Sequence, residues 1–213
     1  QVAKRLWGVY VFLTVLLIGL LWIGPMNLYD AVNHALTAIS TGGYSTKNAS
    51  IAYWHSAYIE YVITIFMFIG ATNITLIYFC LNGNIKKLFF DEEFRWFFWF
   101  VLIMTGITTG WIMYHGFFTD FPTAFRQAAF QVVTLVSTCG FATENYIPWG
   151  PFFWMIALIL MFICGCAGST CGGLKMGRFV ILSKNLFNEF KKQTHPHAII
   201  PVRMDSHIVS GEV

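Results

Sequence analysis

Charge is what this sequence has least of. Asp, Glu, Lys and Arg make up 11% of its 213 residues, against roughly 25% in an ordinary soluble domain. Hydrophobic residues reach 57%, with 22 Phe, 9 Tyr and 8 Trp, more apolar surface than a water-soluble fold of this length can hide. The shortage of charge therefore excludes a soluble domain and makes the lipid bilayer the expected surroundings. A net charge of +3 is too small to argue for nucleic acid as a partner. No nucleophile–base pair and no carboxylate dyad stands out, so an enzyme is a poor fit and no bound cofactor is expected. Cysteines are few and odd in number: Cys80, Cys139, Cys164, Cys166 and Cys171. The last three have a spacing that suggests metal or redox chemistry, but no His or carboxylate stands near to complete a zinc set. Small, polarizable packing residues are the plainer reading. His195-Pro196-His197 lacks a third ligand in the same way.

Four long apolar segments are present, at about 6–24, 56–80, 95–118 and 151–182. Each is long enough to span about 30 Å of hydrocarbon at about 1.5 Å per residue. The first carries a basic flank, Lys4-Arg5, as a signal peptide does, but no small-residue cleavage site follows it, and a retained transmembrane helix is expected. The chain begins at Gln1 and ends at Val213 and reads as an excerpt from a longer protein.

Two shorter segments, Leu28 to Ser40 and Asp120 to Ser137, each lie between a pair of long ones. Both end in similar loops 97 residues apart, Ser40-Thr41-Gly42-Gly43-Tyr44-Ser45-Thr46 and Ser137-Thr138-Cys139-Gly140-Phe141-Ala142-Thr143. The order long–short–loop–long thus occurs twice, an internal repeat. Asp30, Asp120 and Pro122 are helix-start signals. The short segments are expected to be re-entrant pore helices whose carboxyl ends, partly negative, point at the loops and favour a cation there. The expected organisation is a first repeat over 1–80, a cytoplasmic linker over 81–95, a second repeat over 96–184 and a cytoplasmic tail over 185–213. If each repeat starts inside, eleven of the 13 Lys and Arg residues fall on the cytoplasmic side and only Lys47 and Arg126 outside, a strong positive-inside bias.

The loops are the first candidates for chemistry. Non-helical backbone at membrane depth is tolerated only where protein buries it or where it lines a water-filled path. Gly43 and Gly140 permit backbone angles that aim successive carbonyls at one axis, and a ring of such oxygens replaces the water shell of a cation. The candidate filter residues are Thr41, Gly42, Gly43 and Tyr44 with Thr138, Cys139, Gly140 and Phe141, the aromatic rings packing outward behind the strand. An ordinary interhelical turn explains one such loop, but two in matching positions favour the filter.

The second candidate is Gly165-Cys166-Ala167-Gly168-Ser169-Thr170-Cys171-Gly172-Gly173-Leu174-Lys175, in the middle of the fourth long segment. Three readings are open: a flexible strand that gates a conduction path, small-residue helix packing, and a phosphate loop, for which the preceding strand and the spacing are missing. The corresponding stretch of the second segment, Gly70-Ala71-Thr72-Asn73, is far less interrupted. Lys175 either snorkels to the interface, places a positive charge at the inner pore mouth, or pairs with a carboxylate. Glu60 and His55 are expected at the outer interface, His34 as a packed or hydrogen-bonded residue, and Asn73 as a mid-helix bond to a neighbouring helix.

Together the two loops, the Gly-rich run and the tail His195-Pro196-His197-Ala198-Ile199-Ile200-Pro201-Val202-Arg203 resemble the Trk/Ktr/HKT superfamily of potassium and sodium transporters over essentially the whole chain. The resemblance implies an all-α membrane protein with four helix–pore helix–helix repeats around a pseudo-fourfold pore, of which this chain holds the second and third. It implies that Gly43 and Gly140 are filter glycines and that Gly165 to Gly173, with Lys175, form an intramembrane gate beneath the filter. It also implies K⁺ as the transported ion, the remaining two repeats of the parent chain and the lipid bilayer as surroundings, a homodimer, a cytoplasmic nucleotide-binding regulatory subunit, and a multi-pass location in the bacterial inner membrane. Cys139 and Cys171 stand where Ala or Gly is common in that family. An alternating-access transporter that uses the broken helix as a substrate site and a non-transporting membrane scaffold are the rival readings.

Overall fold

In a computed structural model, residues 2–194, 203–204 and 207–208 are described; the His195-Pro196-His197 motif lies outside them. The helices are α1 (Val2–Ile23), α2 (Leu28–Ile39), α3 (Ala57–Gly70), α4 (Ile74–Leu81), α5 (Lys86–Phe90), α6 (Glu92–Tyr114), α7 (Phe121–Val136), α8 (Gly150–Phe162) and α9 (Met176–Thr194). A parallel pair, β1 (Ile163–Cys164) with β2 (Leu174–Lys175), closes the neck of the Gly-rich loop, and an antiparallel pair, β3 (Arg203–Met204) with β4 (His207–Ile208), lies in the tail.

The doubled order is borne out. Helices α1 and α6 open the two repeats, α2 and α7 are the short pore helices, and α3–α4 and α8–α9 complete them. Three of the starts have a local cause. The Asn27 side chain caps α2 by accepting from the Asp30 N–H at 2.7 Å, and Asp91 caps α6 through the Phe94 N–H at 2.8 Å. Pro122 sits in the first turn of α7, where its missing N–H costs nothing. Small residues let the pore helices nest at the centre: Ala31, Ala35, Ala38, Ala124 and Ala128 are fully buried. Apolar side chains of α1, α6 and α8 such as Phe12, Trp22, Trp99, Leu102 and Leu158 are exposed, as a lipid-facing surface requires.

Two of the four expected long spans differ from the sequence pattern. Among the described residues, two helices are long and apolar enough to cross a membrane, within α1 (Ala3–Ile23) and at α6 (Glu92–Tyr114). The second apolar segment is not one helix, because α3 and α4 meet at 108° across residues 71–73. The fourth stops at Phe162 and resumes at Met176, so its break is longer than the glycines alone suggest. Asn73 is correspondingly not mid-helix. It caps α4, accepting from the Thr75 N–H at 2.8 Å.

Candidate filter and the loop beneath it

Both pore helices end in the same way. The Gly42 N–H reaches back to the Thr37 carbonyl at 2.8 Å and the Thr41 N–H to Ala38 at 3.2 Å; in the second repeat Cys139 reaches Thr134 at 3.1 Å and Thr138 reaches Leu135 at 3.0 Å. This paired return is the Schellman closure of a helix, which needs a left-handed residue just past the cap and normally finds it in glycine. Here the residue is threonine, Thr41 and Thr138, each at φ +54°. A β-branched residue in that region is strained by about 1–2 kcal/mol, so its recurrence in both repeats calls for a compensating role.

The hydroxyls supply it. Thr41 Oγ1 donates to the Thr170 carbonyl at 3.1 Å, sharing its proton with Ser40 O, and Thr138 Oγ1 accepts from the Gly172 N–H at 3.0 Å. Both acceptor and donor belong to the Gly-rich loop. A glycine at either position would relax the backbone and lose the tie.

Past each threonine the chain turns left-handed again at Gly43 (φ +66°) and Gly140 (φ +91°). The N–H groups of Gly42 and Gly43 converge on Thr37 O, and those of Cys139 and Gly140 on Thr134 O. That turns the amides toward the helix ends. The carbonyls of Thr41, Gly42 and Gly43, and of Thr138, Cys139 and Gly140, accept no hydrogen bond among the described residues. Tyr44 and Phe141 behave differently: their carbonyls accept from the hydroxyls of Thr37 at 2.9 Å and Thr134 at 3.0 Å. Three, not four, backbone oxygens per loop are thus free of donors.

The two loops lie against each other. A Cβ added at Gly43 would run into the Cys139 carbonyl oxygen and come within 3.3 Å of the Gly140 carbonyl carbon. Phe141 packs behind the strands as expected, 1% exposed and stacked on His34 of the other repeat at 5.7 Å. Tyr44 does not, being 78% exposed. His34 is fully buried and bonded at both ring nitrogens, to Asp30 O at 2.7 Å and Ser45 Oγ at 2.8 Å. The turn Ser50–Trp54 braces the second loop through the Ile51 N–H and Ala52 N–H on the Ala142 carbonyl, at 3.1 and 3.2 Å.

The Gly-rich run folds as a loop bonded to both candidate filter strands. Thr170 Oγ1 lies 3.0 Å from Ile39 O and 3.1 Å from Gly70 O, and the Cys166 N–H donates to Ala71 O at 2.8 Å. The α3–α4 break therefore exposes the carbonyls that receive this loop. At Gly165 a Cβ would strike Ala71 O, and at Gly173 (φ +72°) it would strike Cys164 Sγ, so neither glycine is replaceable at no cost. The buried carboxylate of Glu93, at the start of α6, accepts from both the Ala167 and the Gly177 N–H at 2.7 Å. With Cys166, Ala167, Thr170 and Gly172 amides bonded to protein oxygens, no phosphate cradle is left. Helix packing of the Gly-x-x-x-Gly sort does not apply either, since residues 165–173 are not helical. Lys175 folds over the loop, its ammonium on the Cys171 carbonyl and 3.4 Å from Ser169 Oγ; no ion pair links it to a carboxylate among the described residues. The five cysteines are free thiols, all but Cys80 buried.

Several structural residues are not evident from motif reading. Glu60 is 5% exposed, and its Oε2 accepts from Arg126 Nε at 2.7 Å and Gln127 Nε2 at 3.1 Å. Gln127 in turn accepts from Thr143 Oγ1 at 2.5 Å, as Asp30 does from Thr46 Oγ1 at 2.5 Å in the first repeat. Asp30 also pairs with Lys47 at 3.6 Å. Arg126→Met, which leaves the Glu60 charge buried without its cation, is expected to destabilise the full-length protein by about 3 kcal/mol, the scale of a broken buried pair. Adding Glu60→Gln should recover most of that loss in thermal unfolding, because no uncompensated charge then remains.

Comparisons with known proteins agree with the fold. A family model described as a cation transport protein, TrkH, matches residues 1–213. The chain is 38% identical to the Trk system potassium uptake protein TrkH of Salmonella typhimurium, covering 100% of this chain and 44% of that protein. It is 33% identical to the Trk system potassium uptake protein TrkG of Escherichia coli K12, over 99% of this chain and 44% of that one. The crystal structure of the potassium transporter TrkH from Vibrio parahaemolyticus superposes with a TM-score of 0.94 at 33% identity, covering 99% of this chain and 46% of that one. The chain thus spans less than half the length of the relatives it matches. With the doubled pore-helix architecture and a family match from end to end, this membrane protein belongs to the TrkH family of cation transport proteins.

Proposed function

We propose that this chain forms half of a K⁺ uptake pore in the bacterial inner membrane, completed by further repeats of the full-length protein. The observation that carries the proposal is the contact of two pore-helix loops, each presenting three backbone carbonyls without donors beside the other. K⁺ sheds water into the carbonyls of Thr41, Gly42, Gly43, Thr138, Cys139 and Gly140. The carboxyl ends of α2 and α7 add a negative potential at the same place. The loop of residues 165–173, with Lys175 folded over it, blocks or opens the exit below. The names of the relatives support K⁺ as cargo. A homodimer and a cytoplasmic nucleotide-binding subunit are the partners proposed, on family resemblance.

The test is ion flux in liposomes holding the full-length protein. Rb⁺ or K⁺ is expected to enter down its electrochemical gradient with Na⁺ discriminated against. Strict stoichiometric coupling to a second ion would favour alternating access instead, and no cation flux at all would favour a scaffold.

A further inference from the structure

We infer that Thr37 and Thr134 are the positioning residues that set the ion selectivity of the two filter strands. The inference rests on the filter reading above and assigns the task to two side chains inside the pore helices. Each threonine holds both ends of its loop. Its carbonyl gathers two amides: Gly42 at 2.8 Å and Gly43 at 3.3 Å on Thr37, Cys139 at 3.1 Å and Gly140 at 3.3 Å on Thr134. Its hydroxyl ties the following aromatic residue by the carbonyl, Tyr44 at 2.9 Å and Phe141 at 3.0 Å. The three free carbonyls lie between these fixed points. The two threonines are 97 residues apart, the same offset as Thr41 to Thr138 and Gly43 to Gly140, so one device is built twice.

Carbonyl oxygens distinguish K⁺ from Na⁺ only while the number and distance of the oxygens around the ion are held. A loosely supported site is present but imprecise. Removing the hydroxyl frees the outer end of a strand and lets its carbonyls close around a smaller ion. The effect is unequal in the two repeats. Thr134 Oγ1 has Phe141 O as its acceptor and itself accepts from the Gly140 N–H at 3.2 Å. Thr37 Oγ1 has one proton between Tyr44 O and Asn33 O, both at 2.9 Å. Back-bonding to the helix competes with the clamp at Thr37, and the Thr134 hydroxyl contributes more.

The experiment compares Thr37→Val, Thr134→Val and the corresponding serine variants in the full-length protein, with Rb⁺ and Na⁺ flux measured in liposomes. Valine keeps the shape and loses the hydroxyl; serine keeps the hydroxyl. The Rb⁺ over Na⁺ preference is expected to fall by about 10-fold for Thr134→Val, the scale of one hydrogen bond, and by less for Thr37→Val, with serine restoring it at both sites. A second readout needs no flux: the rise in unfolding temperature on adding K⁺ should shrink in the valine variants and return in serine. Where a valine variant does not purify as a single species, Thr→Ala replaces it. Unchanged selectivity and unchanged K⁺ stabilisation in the valine or alanine variants would overturn the clamp while leaving the filter standing. A serine variant as impaired as valine would overturn it too, by making the methyl group the important part. A wild-type protein without cation preference would bring down both clamp and filter.

Discussion

Gly43→Ala is expected to cut K⁺ flux through the full-length protein by about 100-fold, the scale of a roughly 1 Å displacement at a preorganised site. Gly42→Ala, one residue away, is expected to leave most of it. At Gly43 two costs combine. The backbone is left-handed at φ +66°, and the new Cβ would occupy the place of the Cys139 carbonyl oxygen. Since that oxygen is one of the proposed ion ligands, relief of the clash moves a ligand. At Gly42 the φ is ordinary, and a Cβ meets Ser40 Oγ at 3.4 Å and the Tyr44 ring at 3.5 Å, normal contact distances. The second repeat already carries a side chain at this position, Cys139. Rb⁺ flux and unfolding temperature measured on both variants decide the matter. Equal losses would mean that the loops do not meet as described.

Glu93→Ala is expected to unlatch the Gly-rich loop. One carboxylate oxygen holds the N–H of Ala167, inside the loop, and the N–H of Gly177, at the start of α9, and α6 is tied to α9 again by the Glu92–Lys184 ion pair. The buried Gly177 amide loses its partner at about 1–3 kcal/mol, and the half-buried Ala167 amide loses the bond that ties it to α6. An opening equilibrium shifted by only about 2 kcal/mol changes by roughly 30-fold. Cys166 reports on it, being fully buried beside Ala167. In full-length protein whose other cysteines are replaced, maleimide labelling of Cys166 should accelerate by about that factor in Glu93→Ala. Glu93→Gln keeps an acceptor and should give a smaller rise. Labelling as slow as in the wild type would show that Glu93 does not hold the loop. Faster labelling with unchanged K⁺ flux would instead separate the loop from the gate.

Much of this was legible in the sequence because it is carried by local chemistry. The paired loops are marked by threonine and glycine at one offset, the pore helices by Asp30, Pro122 and their lengths, and the non-helical run by its glycines. The α3–α4 break was not legible. Gly70-Ala71-Thr72-Asn73 has one glycine and no proline, and the break is stabilised by partners about 100 residues later, Cys166 and Thr170, which take up the freed carbonyls. Glu60 and Arg126, 66 residues apart, become a recognisable pair only when α3 and α7 pack. The clamps were hidden for a different reason. Positions 30, 34 and 37 correspond to 127, 131 and 134, but the residues are Asp, His and Thr against Gln, Gln and Thr. Only one of the three pairs is identical, and the shared hydrogen-bond roles become visible only when the loops are in place.

The strained threonines at the ends of the pore helices carry a thermodynamic consequence. Thr41 and Thr138 are the first residues of the two candidate filter strands, and their hydroxyls also hold the Gly-rich loop, at Thr170 and Gly172. If an ion settling above shifts these two bonds, loop displacement must alter ion affinity by the same factor, because linkage is reciprocal. Under the proposed function, cargo and barrier then act as mutual effectors, and external K⁺ joins the ligands that set how often the path is open.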